Sequence, residues 1–247
     1  MLHPSFPTNT IVLITGAMVQ AGVCAWLILS ATLSRLPLAP QTRRNWRWGA
    51  GSLLTIWLLV RLVLQVSPPG DRVLGANATV AFVAFGMLAG TLPLWISPTF
   101  RQIVQATPAT WIIGIHAGRF IGGLFLTLLD MKLLPAEFAR PAGYGDVTVA
   151  ALSMLVVYLL ATNKPYARSA AIAWNLLGIL DFVVALITGV TYIPPFVRQL
   201  ALSGASIQYI NYVLIIPAYG VPIMSLFHVY SMHQLFSRQT KSVGGNG

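Results

Sequence analysis

Apolar residues in this chain gather into seven long runs, at roughly 11–34, 48–67, 76–97, 108–129, 147–162, 168–190 and 209–236, and polar residues are mostly confined to the short gaps between them. A helix needs about 20 apolar residues to cross the hydrocarbon core of a bilayer. The pattern therefore predicts an all-α fold, a polytopic transmembrane bundle of seven helices in which the fifth run is the shortest. Thr107-Pro108 offers an N-cap and a first-turn proline to the fourth span. Pro68-Pro69-Gly70, Asn163-Lys164-Pro165 and Pro194-Pro195 read as stops, because proline cannot continue the helical hydrogen-bond ladder. Asp146 directly precedes the fifth run and reads as its N-cap at the membrane surface, not as a catalytic acid.

Composition agrees with this picture. Of the residues, 56% are hydrophobic and 8% charged, where a soluble domain carries about 25% charged residues. The gaps are too short for a separate soluble domain, so residues 1–247 read as a single transmembrane unit. A net charge of +10 would suggest nucleic acid in a soluble chain, but here the basic residues border the spans and act as topology signals. The bilayer is the expected partner and nucleic acid is not. One set of alternate gaps holds Arg35, Arg43, Arg44, Arg47, Arg101, Lys164, Arg168, Arg238 and Lys241; the other holds Arg72, Lys132, Arg140 and Arg198 with four acids. This bias puts the N-terminus outside and the C-terminus in the cytoplasm. Residues 1–10 lack Lys and Arg and the first run is too long for a signal core, so the first helix reads as retained. The lone Cys24 excludes an internal disulfide or a Cys-ligated metal centre built from this chain alone, and reads as a small buried hydrophobe.

Three charges lie inside the spans: Arg61, Arg119 and Asp181. An ionisable group there is costly and is a functional candidate by default. In the fourth span Gly114, Gly118 and Gly122 recur every four residues, which predicts a packing seam for a close neighbour. On an ideal α-helical wheel His116 lies opposite that stripe, with Arg119 on its own side. Trp57, Arg61 and Gln65 form a polar stripe on the second span, and on the sixth Asp181 shares a face with Gly178 and Trp174, with the Asn175 amide nearby. The three charges lie at similar depths. The expectation is a buried network of Arg61, Arg119, Asp181, His116 and Asn175, in which Asp181 pairs with one or both arginines. Two guanidinium groups against one acid would leave a positive interior suited to an anionic ligand, a lipid head group or a second acid such as Asp130. A structural clamp that only fixes helix register is the alternative.

His116 and His228 also match in depth, so they could hold a haem b between them, with Arg119 available to a propionate. The alternative for each is a hydrogen-bonded core histidine. His233 is wrongly spaced from His228 for a zinc pair. Pro217 and Pro222 around Tyr219-Gly220 predict a bend or hinge in the seventh span. Lys132, Lys164 and Lys241 all fall outside the spans, so seven helices do not imply a retinal Schiff base. No phosphate-binding loop, H-E-x-x-H or G-x-S-x-G elbow is present, and the sequence reads as non-enzymatic.

Pro141-Ala142-Gly143-Tyr144-Gly145-Asp146 and Trp174-Asn175-Leu176-Leu177-Gly178-Ile179-Leu180-Asp181, together with the Pro222 to His228 segment, resemble a group of uncharacterised bacterial multispan membrane proteins over roughly the C-terminal half. The resemblance implies a bacterial inner-membrane setting and brings no activity or substrate with it. Three functional readings follow from the residues. One is a non-enzymatic bundle that binds or moves a small ligand, ion or proton through its polar interior. The second is a haem-b electron-transfer subunit using His116 and His228. The third is a structural subunit of a larger membrane assembly or homo-oligomer, suggested by the glycine stripe. The orientation is testable in a Cys24→Ser background. Lys132→Cys should react with a membrane-impermeant maleimide on intact cells and Lys164→Cys only after the membrane is opened; the opposite pattern would invert the topology.

Overall fold

A computed structural model describes residues 8–66, 76–204, 207 and 209–243, without the side chains of residues 65, 66, 76, 77 and 238–243. Pro68-Pro69-Gly70, Asp71 and Arg72 lie outside the described residues, as do the side chains of Gln65, Arg238 and Lys241. Every regular element among the described residues is helical. In chain order they are α1 (Thr8–Arg35), α2 (Pro40–Val66), α3 (Ala76–Ile96), α4 (Pro98–Ala106), α5 (Ala109–Gly114), a 3₁₀ segment (Ile115–Gly122), α6 (Gly123–Asp130), α7 (Ala136–Ala161), α8 (Ala167–Leu202), α9 (Tyr209–Val213), a π-turn (Ile216–Gly220) and α10 (Val221–Val243). Among the described residues seven stretches are long and apolar enough to cross a membrane: Thr8–Arg35, Pro40–Leu64, Ala78–Ile96, Ala109–Asp130, Ala136–Ala161, Ala167–Leu202 and Tyr209–Ser237. Large apolar side chains such as Val12, Leu59, Leu88, Leu180 and Ile187 are exposed along them, as lipid-facing positions of an integral membrane protein are.

The seventh span is the hub of the bundle. In its most apolar window 78% of residues are buried, while no other span exceeds 39%. Ile210, Ile215 and Tyr219 of this span pack with Ile14 of α1, Leu128 of α6 and Leu134 in one cluster. Between helices surrounded by lipid, such packing and interhelical hydrogen bonds take over the role that water exclusion has in soluble cores. Tyr209 donates its hydroxyl to the Leu133 carbonyl at 2.8 Å, and Tyr219 reaches the Leu54 carbonyl at 3.3 Å. Pro217 opens the π-turn, which closes with the Val221 amide donating to the Ile216 carbonyl. The turn absorbs the proline by widening one helical turn within protein, where freed carbonyls have neighbours.

Four boundaries differ from the sequence expectation, the first being the start of the second span, at Pro40 rather than near residue 48. The fifth span begins at Ala136 rather than near residue 147, because Phe138, Ala139, Ala142 and Gly143 continue the buried stripe of Val149, Ala150, Ser153 and Val156 at helical spacing. Pro141 in its second turn forfeits one backbone bond without breaking the helix. Asp146 therefore lies in the interior of α7 and is not an N-cap; Pro135 holds that position. The sixth span runs through Pro194-Pro195 to Leu202, since Ile193 and Val197 extend its buried face. At 36 residues it is about 54 Å long, well beyond the hydrocarbon thickness of about 30 Å. Finally, an extra helix, α4, precedes the fourth span, with Ser97 capping it by accepting from the Phe100 amide at 3.2 Å. Thr107 closes α4 and does not cap the next helix: its hydroxyl donates to the Ile103 carbonyl at 2.8 Å and meets Thr32 Oγ1 at 3.2 Å. Gln234 of α10 donates to the carbonyls of Val104 and Thr107, holding this break against the hub.

Candidate functional site

The fourth span changes its winding where its charge lies. From Ile115 to Gly122 it is a 3₁₀ helix, with three residues per turn, so residues three apart stack on one face. His116, Arg119 and Gly122 form that stack and are its buried residues. An ideal wheel sets Gly122 about 120° from His116; the tighter winding brings it round to the same side. Gly114, Gly118 and Gly122 are consequently not one seam. A Cβ at Gly114 or Gly118 would meet only ordinary contacts with Val157 and Met224, whereas one at Gly122 would overlap the Asp146 side chain.

Arg119 is 3% exposed and its guanidinium is shared among three other spans. Nε donates to Asp146 Oδ1 of α7 at 2.7 Å. Nη2 pairs with Asp181 Oδ2 of α8. Nη1 lies 3.4 Å from His228 Nε2 of α10, and Cζ stacks over the Phe182 ring at 3.9 Å from its centroid. An arginine has no acceptor, so His228 Nε2 must accept. The opposite ring nitrogen then carries the proton and donates to Asn175 Oδ1 at 2.9 Å. Asn175 Nδ2 donates in turn to Ser231 Oγ and to the Ala171 carbonyl, both at 2.8 Å. The chain of bonds fixes one tautomer of His228 and one orientation of the Asn175 amide.

Glycine makes the convergence possible at two further points. A Cβ at Gly145 would overlap the Asp181 carboxylate, and one at Gly178 would overlap the His228 ring. Gly145 thus lets α7 and α8 approach across the carboxylate, and Gly178 leaves room for the imidazole.

The network differs in composition and sign from the expectation. Its second acid is Asp146, not Asp130. Arg61 is not part of it: the side chain is 1% exposed, donates Nη2 to the Asn211 carbonyl at 3.2 Å and lies 5.9 Å from the Phe82 ring. Its Nε and Nη1 have no hydrogen-bond partner among the described residues. One guanidinium thus faces two carboxylates, so with both acids ionised the cluster carries a net negative charge where a positive one was expected.

His116 and His228 do meet, but their ring centroids are 4.0 Å apart with a 42° tilt. The rings are in direct contact, and both nitrogens of His228 are engaged. A macrocycle with its iron ligated from both faces has no space between them, so the pair does not fit a haem. His116 is instead wedged against Trp174 at 4.8 Å, fully buried, with neither ring nitrogen hydrogen-bonded to any described residue. Trp174 donates its indole N–H to the Val149 carbonyl at 3.0 Å, tying α8 to α7 beside the site. Cys24 of α1 is half-buried and lines a cavity that reaches the network.

Asp146 borders two cavities. The larger, about 430 Å³, extends from Asp146 past Phe138 and Ile193 to Arg198, four residues from the end of α8. The smaller, about 180 Å³, lies between α1 and the fourth span and includes Gln20, Arg119 and Gly114, five residues from the start of that span at Ala109. Phe182, Ile216 and Val221 also border both, the last two being the first residue of the π-turn and the residue just after it.

Removing Arg119 leaves two carboxylates buried without their cation. Arg119→Gln should lower the unfolding free energy by about 3–5 kcal/mol, read as thermal unfolding in mild detergent, and adding Asp146→Asn and Asp181→Asn should recover most of the loss. An Arg119→Gln variant as stable as the wild type would refute the pairing.

A family model described as a domain of unknown function (DUF8737) matches residues 73–236, and the chain belongs to that family. The match includes Arg119, Asp146, Asp181 and His228 and excludes Arg61. No curated protein and no solved structure matches the chain.

Proposed function

We propose that this member of the DUF8737 family is a non-enzymatic membrane protein that binds a proton at the Asp146–Asp181 pair and exchanges it between two cavities as a small solute moves through the bundle. The observation that carries the reading is the position of Asp146, a charged member of an overall negative cluster that borders both cavities. Two like charges sharing one site cannot both ionise cheaply in low dielectric. One guanidinium offsets one carboxylate, and a proton is the smallest cation that offsets the other. The irregular windings support movement: a 3₁₀ segment carries Arg119 and a π-turn lies against both cavities, and such interruptions mark working helices and midplane binding sites in transporters. On its resemblance to bacterial multispan proteins we assign the protein to a bacterial cytoplasmic membrane, and on the charge bias of the gaps we place its N-terminus outside. The larger cavity then leads outward from Asp146 and the smaller inward.

A hydrophobic carbodiimide reacts with a protonated carboxyl in apolar surroundings and tests the reading without knowledge of the solute. Dicyclohexylcarbodiimide should modify Asp146 of the purified protein, mapped by mass spectrometry, with labelling that falls as pH rises. Asp181→Asn should cut that labelling about tenfold, since a single acid facing Arg119 has no excess charge to neutralise. Absence of labelling at any pH, or labelling indifferent to Asp181, would reduce the network to a static clamp.

A further inference from the structure

We infer that the larger cavity is a binding site for a lipophilic organic monocation, which competes with the proton for the excess negative charge of the Asp146–Asp181 pair. The inference rests on the proton-binding reading and adds to it the chemical class of the solute.

The cavity's volume, about 430 Å³, lies within the range of about 300–1,000 Å³ common for small-molecule sites. Its wall is apolar and aromatic. Phe125 and Phe138 meet edge to face at 5.2 Å, and Phe182 closes the end nearest the charges. Aromatic faces attract cations through their quadrupole, most strongly when water is excluded. Asp146 supplies an acid at one end. Two other cavities of the bundle lack this combination. One of about 470 Å³ beside Trp46 and Trp57, and one of about 620 Å³ beside Trp26 and Trp48, have neither an acid nor a basic side chain in their walls among the described residues.

The chemistry narrows the ligand. An anion would be opposed by the net charge of the network. Bare calcium or magnesium needs six or more oxygen ligands and zinc about four ligands, and the described residues contain no group of three or more His, Cys, Asp or Glu side chains that could hold a metal ion. A neutral apolar molecule would fill the space but gain nothing from Asp146. A single positive charge on an apolar body uses the charge, the aromatic faces and the volume together. The groups around Asp146 are Arg119 from the fourth span, Asp181 from α8 and His228 from α10 by way of Arg119, with Cys24 of α1 across the smaller cavity. Among the described residues Arg198 is the one like charge on the larger cavity's wall. It is exposed at the far mouth, where solvent and salt screen it.

Tetraphenylphosphonium is a suitable probe. Equilibrium dialysis against the purified protein in lipid nanodiscs should give saturable binding of one cation per chain, weakening by about tenfold per pH unit on the acid side, as competition with one proton requires. Asp146→Asn should weaken binding at alkaline pH by at least about tenfold. Gly189→Leu should weaken it by filling the cavity, since a side chain there projects toward Phe138. Non-saturable partitioning, or binding unaffected by Asp146→Asn, would overturn the inference. So would binding that is lost only in Arg198→Gln, which would make the cavity a slot for a lipid held at its phosphate. If carbodiimide labels Asp146 in a pH-dependent way while the cation does not bind, this inference fails alone. If neither occurs, the proton-binding reading fails with it.

Discussion

The guanidinium of Arg119 is the constraint on which the interior of this bundle is built. Four spans supply groups to it: its own, Asp146 from the fifth, Asp181 and Phe182 from the sixth, and His228 from the seventh. Inside a membrane-spanning bundle a charge left without a partner is costly. Each helix must therefore arrive at the rotation and depth that presents its group to the same few cubic ångströms. Neighbouring features are consequences of that demand. Gly122, Gly145 and Gly178 are positions where a side chain would occupy space that a network member already fills. Asn175 and Ser231 complete the bonds of His228 and so fix the proton on its ring.

Local backbone geometry serves the same end. An ideal α-helix would spread His116, Arg119 and Gly122 over a wide arc, because 3.6 residues per turn sets residues three apart out of line. The 3₁₀ winding from Ile115 to Gly122 aligns them, at the cost of poorer hydrogen-bond geometry in a run longer than such segments usually last. The seventh span makes the opposite adjustment, widening at Pro217 into a π-turn. One helix is tightened and another loosened on either side of the charges.

The number and approximate extent of the spans could be read from the chain because bilayer thickness imposes a length that composition reveals directly. Arg119 and Asp181 stood out for the same reason, as charges where charge is expensive. Arg61 stood out equally and lies elsewhere, since depth alone says nothing about which helices are neighbours. Asp146 was hidden by the residues before it. Pro141, Gly143 and Gly145 look like breakers by the rules of helices in water, so α7 seemed to start after them. Its continuation was nonetheless legible in the apolar spacing of Phe138, Ala142, Val149 and Ser153, a stripe on which Asp146 falls. The altered winding of the fourth span had no comparable signature, and with it went the true partner of Gly122. With Asp146 in the network and Arg61 outside it, the interior has the opposite sign to the one the sequence predicts.

That sign is the centre of the account: two carboxylates share one guanidinium, and the surplus charge is offset by a proton. Carbon-13 NMR of the aspartate-labelled protein in lipid bilayers reads the charge of each carboxyl directly, with resonances assigned by their loss in Asp146→Asn and Asp181→Asn. The account predicts that one of these two carboxyls is protonated while the other is ionised over a broad span of pH in which the fold is intact. Two carboxyls that remain ionised throughout that span would contradict it.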